Sequence, residues 1–160
     1  MSRKQNEIIL ILDNIRSVYN VGAIFRTADA AGVSKIILAG YTPGPLDRFG
    51  RARTDFKKAA LGAENTISWE RAGDALTIIS KLKTENHYII AIEQGTGAID
   101  YKKIKPKGKT ALVVGNETEG ISREILKYCD KVAQIPMRGK KESLNVSVAL
   151  GIALFRILNI

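Results

Sequence analysis

Three stretches of this 160-residue chain combine polar side chains capable of chemistry with glycines that leave room beside them. The first is Asn14-Ile15-Arg16-Ser17-Val18-Tyr19-Asn20-Val21-Gly22-Ala23-Ile24-Phe25-Arg26-Thr27. Asn20 can cap a helix by accepting from an N–H two or three residues on. Gly22 then lies in the first turn, where a missing side chain admits another backbone or a ligand, and Arg26 follows inside the helix. The second is Val114-Gly115-Asn116-Glu117-Thr118-Glu119-Gly120-Ile121-Ser122. It lacks the lysine of a phosphate-binding P-loop and is not a dinucleotide fingerprint. Its carboxylates would repel phosphate but accept hydrogen bonds from amines or hydroxyls. Glu117 and Glu119 lie on alternate sides of an extended segment, so they are not a hydrolytic carboxylate pair. The third is Ile135-Pro136-Met137-Arg138-Gly139-Lys140-Lys141-Glu142-Ser143-Leu144-Asn145-Val146-Ser147-Val148-Ala149, a basic loop running into a helix that Ser143 opens. Taken singly, each stretch also reads as an ordinary capped helix or turn.

The elements that must position them alternate along the chain. Ile8–Leu12, Lys35–Ala39, Thr66–Trp69, Tyr88–Ile92, Thr110–Val114 and Lys131–Ile135 read as strands. Short apolar runs of this kind suit strands covered on both faces. Helical patterns span Val21–Ala31, Arg51–Leu61, Ala72–Lys83 and Ser122–Tyr128, and a final helix begins near Ser143. Such βα alternation predicts an α/β domain whose mostly parallel sheet is flanked by helices. Ligands of parallel sheets bind beyond the carboxyl ends of the strands. Polar or glycine-rich sequence follows four predicted strands, at 13–14, 93–95, 115–120 and 136–139. Most of these ends lie in the C-terminal half, which places the site there.

Length and charge narrow the class. A chain of this size favours one domain, residues 1–160, and buries roughly 68–70% of its unfolded surface without staples. Lys and Arg number 25 against 16 Asp and Glu, a net charge of +9, which favours a polyanionic partner such as nucleic acid. The basic residues gather at Arg48, Arg51, Arg53, Lys57 and Lys58, along Lys102–Lys109, and at Arg138, Lys140 and Lys141. A single cysteine, Cys129, excludes a disulfide framework and a multi-cysteine zinc site, and suits a reducing cytoplasm. His87, the only histidine, cannot build a metal site alone, so no metal is expected. The charged N-terminus is not a signal peptide. The apolar C-terminal stretch is too short and too polar, at Arg156 and Asn159, to cross a membrane, and reads as a buried or subunit-facing helix.

In this order, Asn-x-Gly-x-x-x-Arg, Gly-Asn-Glu-x-x-Gly and Ile-Pro-Met-x-Gly followed by Ser-Leu-Asn-Val-Ser-x-Ala resemble the SpoU branch of the SPOUT RNA methyltransferases, over about Ile8 to Leu158. Arg53 to Ala63 is similar to a segment the family carries between the first two motifs. The resemblance implies a C-terminal trefoil knot, where periodicity alone predicts an ordinary doubly wound sheet. It implies S-adenosyl-L-methionine as cofactor, held by Ala91, Ile92, Glu93, Gly95, Gly115, Asn116, Glu117, Ile135, Met137 and Leu144. It implies a homodimer with the site near the interface, shared so that Arg26 is contributed across the dimer, and transfer of a methyl group to a ribose 2′-OH of tRNA or rRNA. Asn20, Arg26, Glu117, Ser143 and Asn145 would form the catalytic site. Arg16, Arg48, Arg51, Arg53, Arg138, Lys140 and Lys141 would bind RNA. With no room for a separate N-terminal RNA-binding domain, the catalytic surface would dock the RNA.

A ribose hydroxyl is a poor nucleophile, so oxygen, carbon and sulfur must be aligned and the proton helped away. The resemblance implies Arg26 as the base; an arginine is not normally deprotonated in proteins, so the preferred reading for Arg26 is electrostatic, on the adjacent phosphate and the developing alkoxide. Two alternatives share the fold: a non-catalytic RNA-binding or ribosome-assembly module, and a methyltransferase acting on a base nitrogen. A generic dinucleotide enzyme is disfavoured, because no glycine-rich loop follows the first strand.

Overall fold

Residues 8–12 alternate between two apolar layers. Ile8, Leu10 and Leu12 join a cluster with Ile24, Phe25, Phe56 and Leu150, while Ile9 and Ile11 join one with Ile79, Leu82 and Ile125. Side chains of a strand alternate with a period of two, so an unbroken apolar run with both faces covered is a central strand of a three-layer stack. It is β1 (Glu7–Asp13). The structure, a computed structural model, describes residues 6–160. Residues 1–5 of the N-terminal stretch read above as lacking a signal lie outside the described residues.

The remaining strands are β2 (Lys35–Ala39), β3 (Trp69–Ala72), β4 (Tyr88–Ile92), β5 (Ile99–Asp100), β6 (Lys109–Val114) and β7 (Lys131–Gln134). They form one seven-stranded sheet in the order β3-β2-β1-β6-β4-β7-β5. Every pairing is parallel. The helices are α1 (Val18–Ala31), α2 (Thr54–Ala60), α3 (Ala75–Thr84), α4 (Arg123–Tyr128) and α5 (Val146–Leu158). Buried residues of α1, α2 and α5 pack on one face of the sheet, and those of α3 and α4 on the other. Among the described residues no helix is long and apolar enough to cross a membrane.

Several boundaries differ from the sequence reading for local reasons. Ser17, not Asn20, caps α1: its side chain accepts from the Asn20 N–H, and the helix starts three residues early. Asn145, not Ser143, caps α5, accepting from the N–H groups of Ser147 and Val148. Asp74 caps α3, which starts at Ala75 and not at Ala72, and the strand expected at Thr66–Trp69 lies instead at Trp69–Ala72. The two-residue β5 is too short to leave a periodic signal, and is defined only by its pairing with Ala133 and Gln134. Gly22 does not admit a ligand: a Cβ there would lie 2.4 Å from the Ala59 Cβ, so the glycine lets α1 and α2 meet. Beside that contact Phe25 meets Phe56 edge to face, with ring centroids 5.0 Å apart.

Strand order does the positioning. From β1 the chain moves outward to β2 and β3, whereas β6, β4 and β7 lie on the opposite side. The carboxyl ends of β1, β6, β4 and β7 are therefore consecutive neighbours along one edge of the sheet. A crevice beside such a reversal is where open α/β sheets bind ligands.

Candidate active site

A cleft of about 440 Å³ opens at that edge, within the range of small-molecule sites. Its floor is apolar, built from Ile92, Val114, Ala133, Ile135, Leu144 and Ala149. Glu93, Glu117 and Glu119 supply carboxylates to the walls, and among the described residues no Lys or Arg lines it. The field therefore favours a cationic ligand and disfavours phosphate.

Hydrogen bonds join the three sequence motifs at its mouth. The Glu117 carboxylate accepts from the backbone N–H of Arg16 (3.0 Å) and of Ser17 (3.1 Å), and from the Asn20 amide (3.1 Å). The Asn20 amide oxygen in turn accepts from Asn145 Nδ2 at 3.0 Å. One carboxylate thus closes the start of α1, where the helix dipole favours negative charge, and couples it to the start of α5. Burial pushes the Glu117 carboxyl up, but the Arg16 and Ser17 N–H groups and the Asn20 amide prevail and hold it below the usual glutamate range. Glu117 stays ionised with both oxygens engaged, which makes it a clamp and not a general base.

The 115–120 turn is equally determined. Asn116 Oδ1 accepts from Thr118 N, Thr118 Oγ1 and Glu119 N, while its amide donates to Asn14 O and the Tyr41 hydroxyl. With its side chain consumed, Asn116 can offer a ligand only its backbone. Glu93 accepts from the Ile121 N–H at 2.9 Å. Gln94 Nε2 donates to Ile135 O at 2.7 Å, tying the end of β4 to the segment after β7.

Of the residues expected at the cofactor, Ile92, Glu93, Gly115, Asn116, Glu117, Ile135 and Leu144 line the cleft. Ala91, Gly95 and Met137 do not. Ala91 is wholly buried inside β4, while Gly95 and Met137 lie beyond the walls. Glu117, Ser143 and Asn145 line the mouth, and Asn20 is bonded to two of them. Arg26 is not in this cleft. Six residues beyond Asn20 is about 9 Å along a helix and most of the way to its other side. Arg26 is exposed there, in a shallow depression with Ala23, Thr27 and Ala30. Arg16, Arg138, Lys140 and Lys141 are exposed around the mouth and on the loop leading to Ser143. Arg53 lies away from this cleft, its guanidinium held by both oxygens of Asp55, at 3.1 and 2.8 Å.

The other candidates lie apart from the cleft. His87 is buried just before β4, at the opposite edge of the sheet, with Nδ1 against Leu82 O. The Cys129 thiol is pushed up to about 11, first by burial, so it is not a nucleophile at neutral pH. Sequence reasoning missed Tyr41, and gave Ser17 and Gln94 no role of their own although both lie in stretches it singled out. Each follows a strand end or opens a helix, and the strand-end rule applied to β2 as well would have reached Tyr41.

Glu117→Gln tests the clamp. It keeps the shape and removes the charge, and is expected to lower stability by about 1 kcal/mol at neutral pH, discounted for exposure. For a chain of this size that is roughly 2–4 °C in Tm. Because the folded-state pKa is depressed, the wild-type advantage is full above the ordinary glutamate value of 4.5 and disappears as pH falls through the lower folded value. Melting both proteins between neutral and strongly acidic pH measures the gap; a constant gap would contradict the clamp.

Fold and site define a three-layer α/β domain with a small-molecule cleft at its sheet reversal. A family model described as the SpoU rRNA Methylase family matches residues 7–155, and the chain belongs to that family. The 23S rRNA (guanosine-2'-O-)-methyltransferase RlmB of Haemophilus influenzae is 34% identical over 158 residues, covering 99% of this chain and 62% of that protein. The Escherichia coli K12 protein of the same name is 38% identical over 149 residues, covering 92% and 58%. This chain thus spans about three fifths of their length. Among solved structures, an AdoMet-bound rRNA methyltransferase from Sinorhizobium meliloti superposes with TM-score 0.85 at 32% identity, covering 97% of this chain and 57% of that one. The TrmH/SpoU tRNA modifying enzyme of A. aeolicus superposes with TM-score 0.83 at 29% identity, covering 96% and 74%.

Proposed function

We propose that this chain transfers the methyl group of S-adenosyl-L-methionine to a ribose 2′-OH of ribosomal or transfer RNA. The observation that carries this reading is the Glu117–Asn20–Asn145 joint, which brings three motifs far apart in the sequence to the mouth of one cleft. Membership of the SpoU family and similarity to an AdoMet-bound rRNA methyltransferase support it.

The cleft fits the cofactor. Its apolar floor suits a purine ring, and its three carboxylates, with no Lys or Arg of the described residues lining it, suit a net-cationic molecule. Ile92, Gly115, Ile135 and Leu144 would hold it, and Asn116 would contribute backbone only. When bound, the cofactor supplies an electrophilic methyl group on a sulfonium. Arg26 holds the phosphate next to the target ribose and stabilises the developing alkoxide. Asn20, Ser143 and Asn145 orient the ribose and backbone, while Glu117 keeps Asn20 in place. RNA docks across the catalytic surface through Arg16, Arg138, Lys140 and Lys141.

Arg26 reaches the cleft from a second copy. The support is α5, whose buried Leu150, Ala153, Leu154 and Ile157 face the core while Val148 and Ile152 remain 48% and 38% exposed. A helix apolar on both sides needs a second covering surface. Thr27, beside Arg26, lies against Gly151 of α5, 3.6 Å from where a Cβ would sit. A homodimer covering this face would set Arg26 of the partner subunit beside the cleft. The trefoil knot belongs to the same reading, supported by β7 lying between β4 and β5 while the chain after it leads to α5. A cytoplasmic location fits an RNA substrate.

Incubation with radiolabelled S-adenosyl-L-methionine and undermethylated total RNA tests the proposal. Label is expected in alkali-resistant dinucleotides, since a methylated 2′-oxygen cannot attack its phosphate. Label in free bases would mean a base-nitrogen enzyme. No label, with no cofactor binding by calorimetry, would leave a non-catalytic RNA module.

A further inference from the structure

Phe49 is 65% exposed at the tip of a loop built to present it. Leu46 and Ala52 pair across the neck as an antiparallel bridge. Inside it, Asp47 Oδ1 accepts from the N–H groups of Phe49 and Arg51, at 2.8 and 3.0 Å, and Gly50 N–H closes back on Asp47 O at 3.0 Å. The tip is thus fixed by the Asp47 carboxylate and the loop's own backbone, with the ring left largely exposed. The guanidinium carbons of Arg48 and Arg51 lie 4.8 and 5.0 Å from the ring centroid. Arg51 is paired with Asp47, whereas Arg48 forms no ion pair among the described residues.

The loop is anchored to the active site. It leaves the carboxyl end of β2 at Tyr41, whose hydroxyl accepts from Asn116 in the cleft wall. The next residue, Thr42, is fully buried, donates to Leu12 O at 2.9 Å and accepts from Ile15 N–H at 3.1 Å. The turn that carries the first motif therefore also holds the base of this loop.

We propose that Phe49, with Arg48 and Arg51, is a base-stacking platform that positions a single-stranded nucleotide of the RNA substrate next to the methylation site. This rests on the RNA reading above and adds a positioning residue to it. An exposed aromatic ring with two guanidiniums over it suits a nucleobase flanked by phosphates: a base that displaces a guanidinium stacks on the ring, and the charges reach its backbone. A chain with net charge +9 brings that polyanion to the surface. An apolar protein partner is the poorer match, because both flanking positions are cationic.

The test compares fluorescein-labelled oligo(A) 12-mers with abasic 12-mers of the same backbone, bound to the full chain over a salt series. Phe49→Ala is expected to weaken oligo(A) binding by about 5- to 150-fold and to leave abasic binding and the salt slope unchanged. Phe49→Trp is expected to restore oligo(A) binding. Arg48→Gln is expected to reduce the salt slope by roughly 0.7 on both probes. Equal binding of oligo(A) by Phe49→Ala and wild type would overturn the platform, and so would equal losses on both probes. A change of oligomeric state in Phe49→Ala, read by sedimentation, would also overturn it, by making the ring a protein contact. If wild type binds neither probe and methylates no RNA, the parent reading fails as well; if it binds and methylates while Phe49→Ala matches it, only the platform fails.

Discussion

Arg26→Ala is expected to cut methyl transfer by at least about 10²–10³-fold, the cost of losing one donor aimed at developing negative charge, while S-adenosyl-L-methionine binding stays at the wild-type level. The two halves of this expectation have separate sources. Arg26 lines no part of the cofactor cleft and sits on the outer side of α1, so its removal disturbs neither the floor nor the carboxylate walls. It is also exposed, so truncation leaves no buried cavity. The loss then falls on turnover. A mixed dimer distinguishes contribution in trans from a role within one chain. One subunit carries Arg26→Ala with an intact cleft, and the other a ruined cleft with Arg26 intact. Random pairing of these inactive parents is expected to restore roughly a quarter of wild-type activity, since half the dimers are mixed and each holds one complete site. Zero activity in the mixture, with dimers present, would place Arg26 and its cleft in the same subunit.

Gly115→Ala is expected to supply that ruined cleft. A Cβ on Gly115 would lie 2.5 Å from Gly120 O and 2.6 Å from Gly120 C. The obstacle is backbone, which cannot swing aside as a side chain can. The Gly120 N–H already donates to Asn116 O at 2.9 Å, closing the turn from the other side. Accommodation must open this turn, and with it the Asn116 contacts to Asn14 and Tyr41. Overpacking of this kind costs about 1–3 kcal/mol, several degrees in Tm. Below that melting temperature, calorimetry is expected to show cofactor affinity reduced by at least about tenfold, as when 1.4 kcal/mol of binding is lost. Gly73→Ala is the control: a Cβ there meets nothing within 4 Å, and stability and binding are expected to be unchanged. Wild-type affinity in Gly115→Ala would show that the turn does not shape the cofactor site.

Both expectations depend on distinguishing what the residues announce from what their arrangement adds. Apolar runs such as Ile8–Leu12 and Tyr88–Ile92 declare buried strands, because only a strand covered on both faces tolerates an unbroken apolar run. The polar segments after them mark where a ligand belongs, because side chains there no longer serve the core. The three motifs, in order, carry the family. Four of the five residues expected to be catalytic do converge: Glu117, Ser143 and Asn145 line the cleft, and Asn20 is bonded to it.

The capping roles were less legible. Ser17, Asn20, Ser143 and Asn145 are all competent caps, and which one captures the helix N–H groups depends on where the preceding strand releases the chain. The two-residue β5 had no periodicity to detect. Gly22 and Gly115 look alike in sequence, yet one admits a neighbouring helix and the other closes a cleft wall.

Local sequence, then, determined the alternating elements, the net charge of +9 and which polar segments follow the strands, because each depends on residues close together in the chain. Only the tertiary structure decided that β1, β6, β4 and β7 stand side by side, since strand order is set by long-range packing that no local period encodes. That order makes Glu117 the clamp on α1 and turns Arg26 away from its own cleft. A helix fixes the angle between Asn20 and Arg26 within the chain, but the surface each one meets is set by what packs around it.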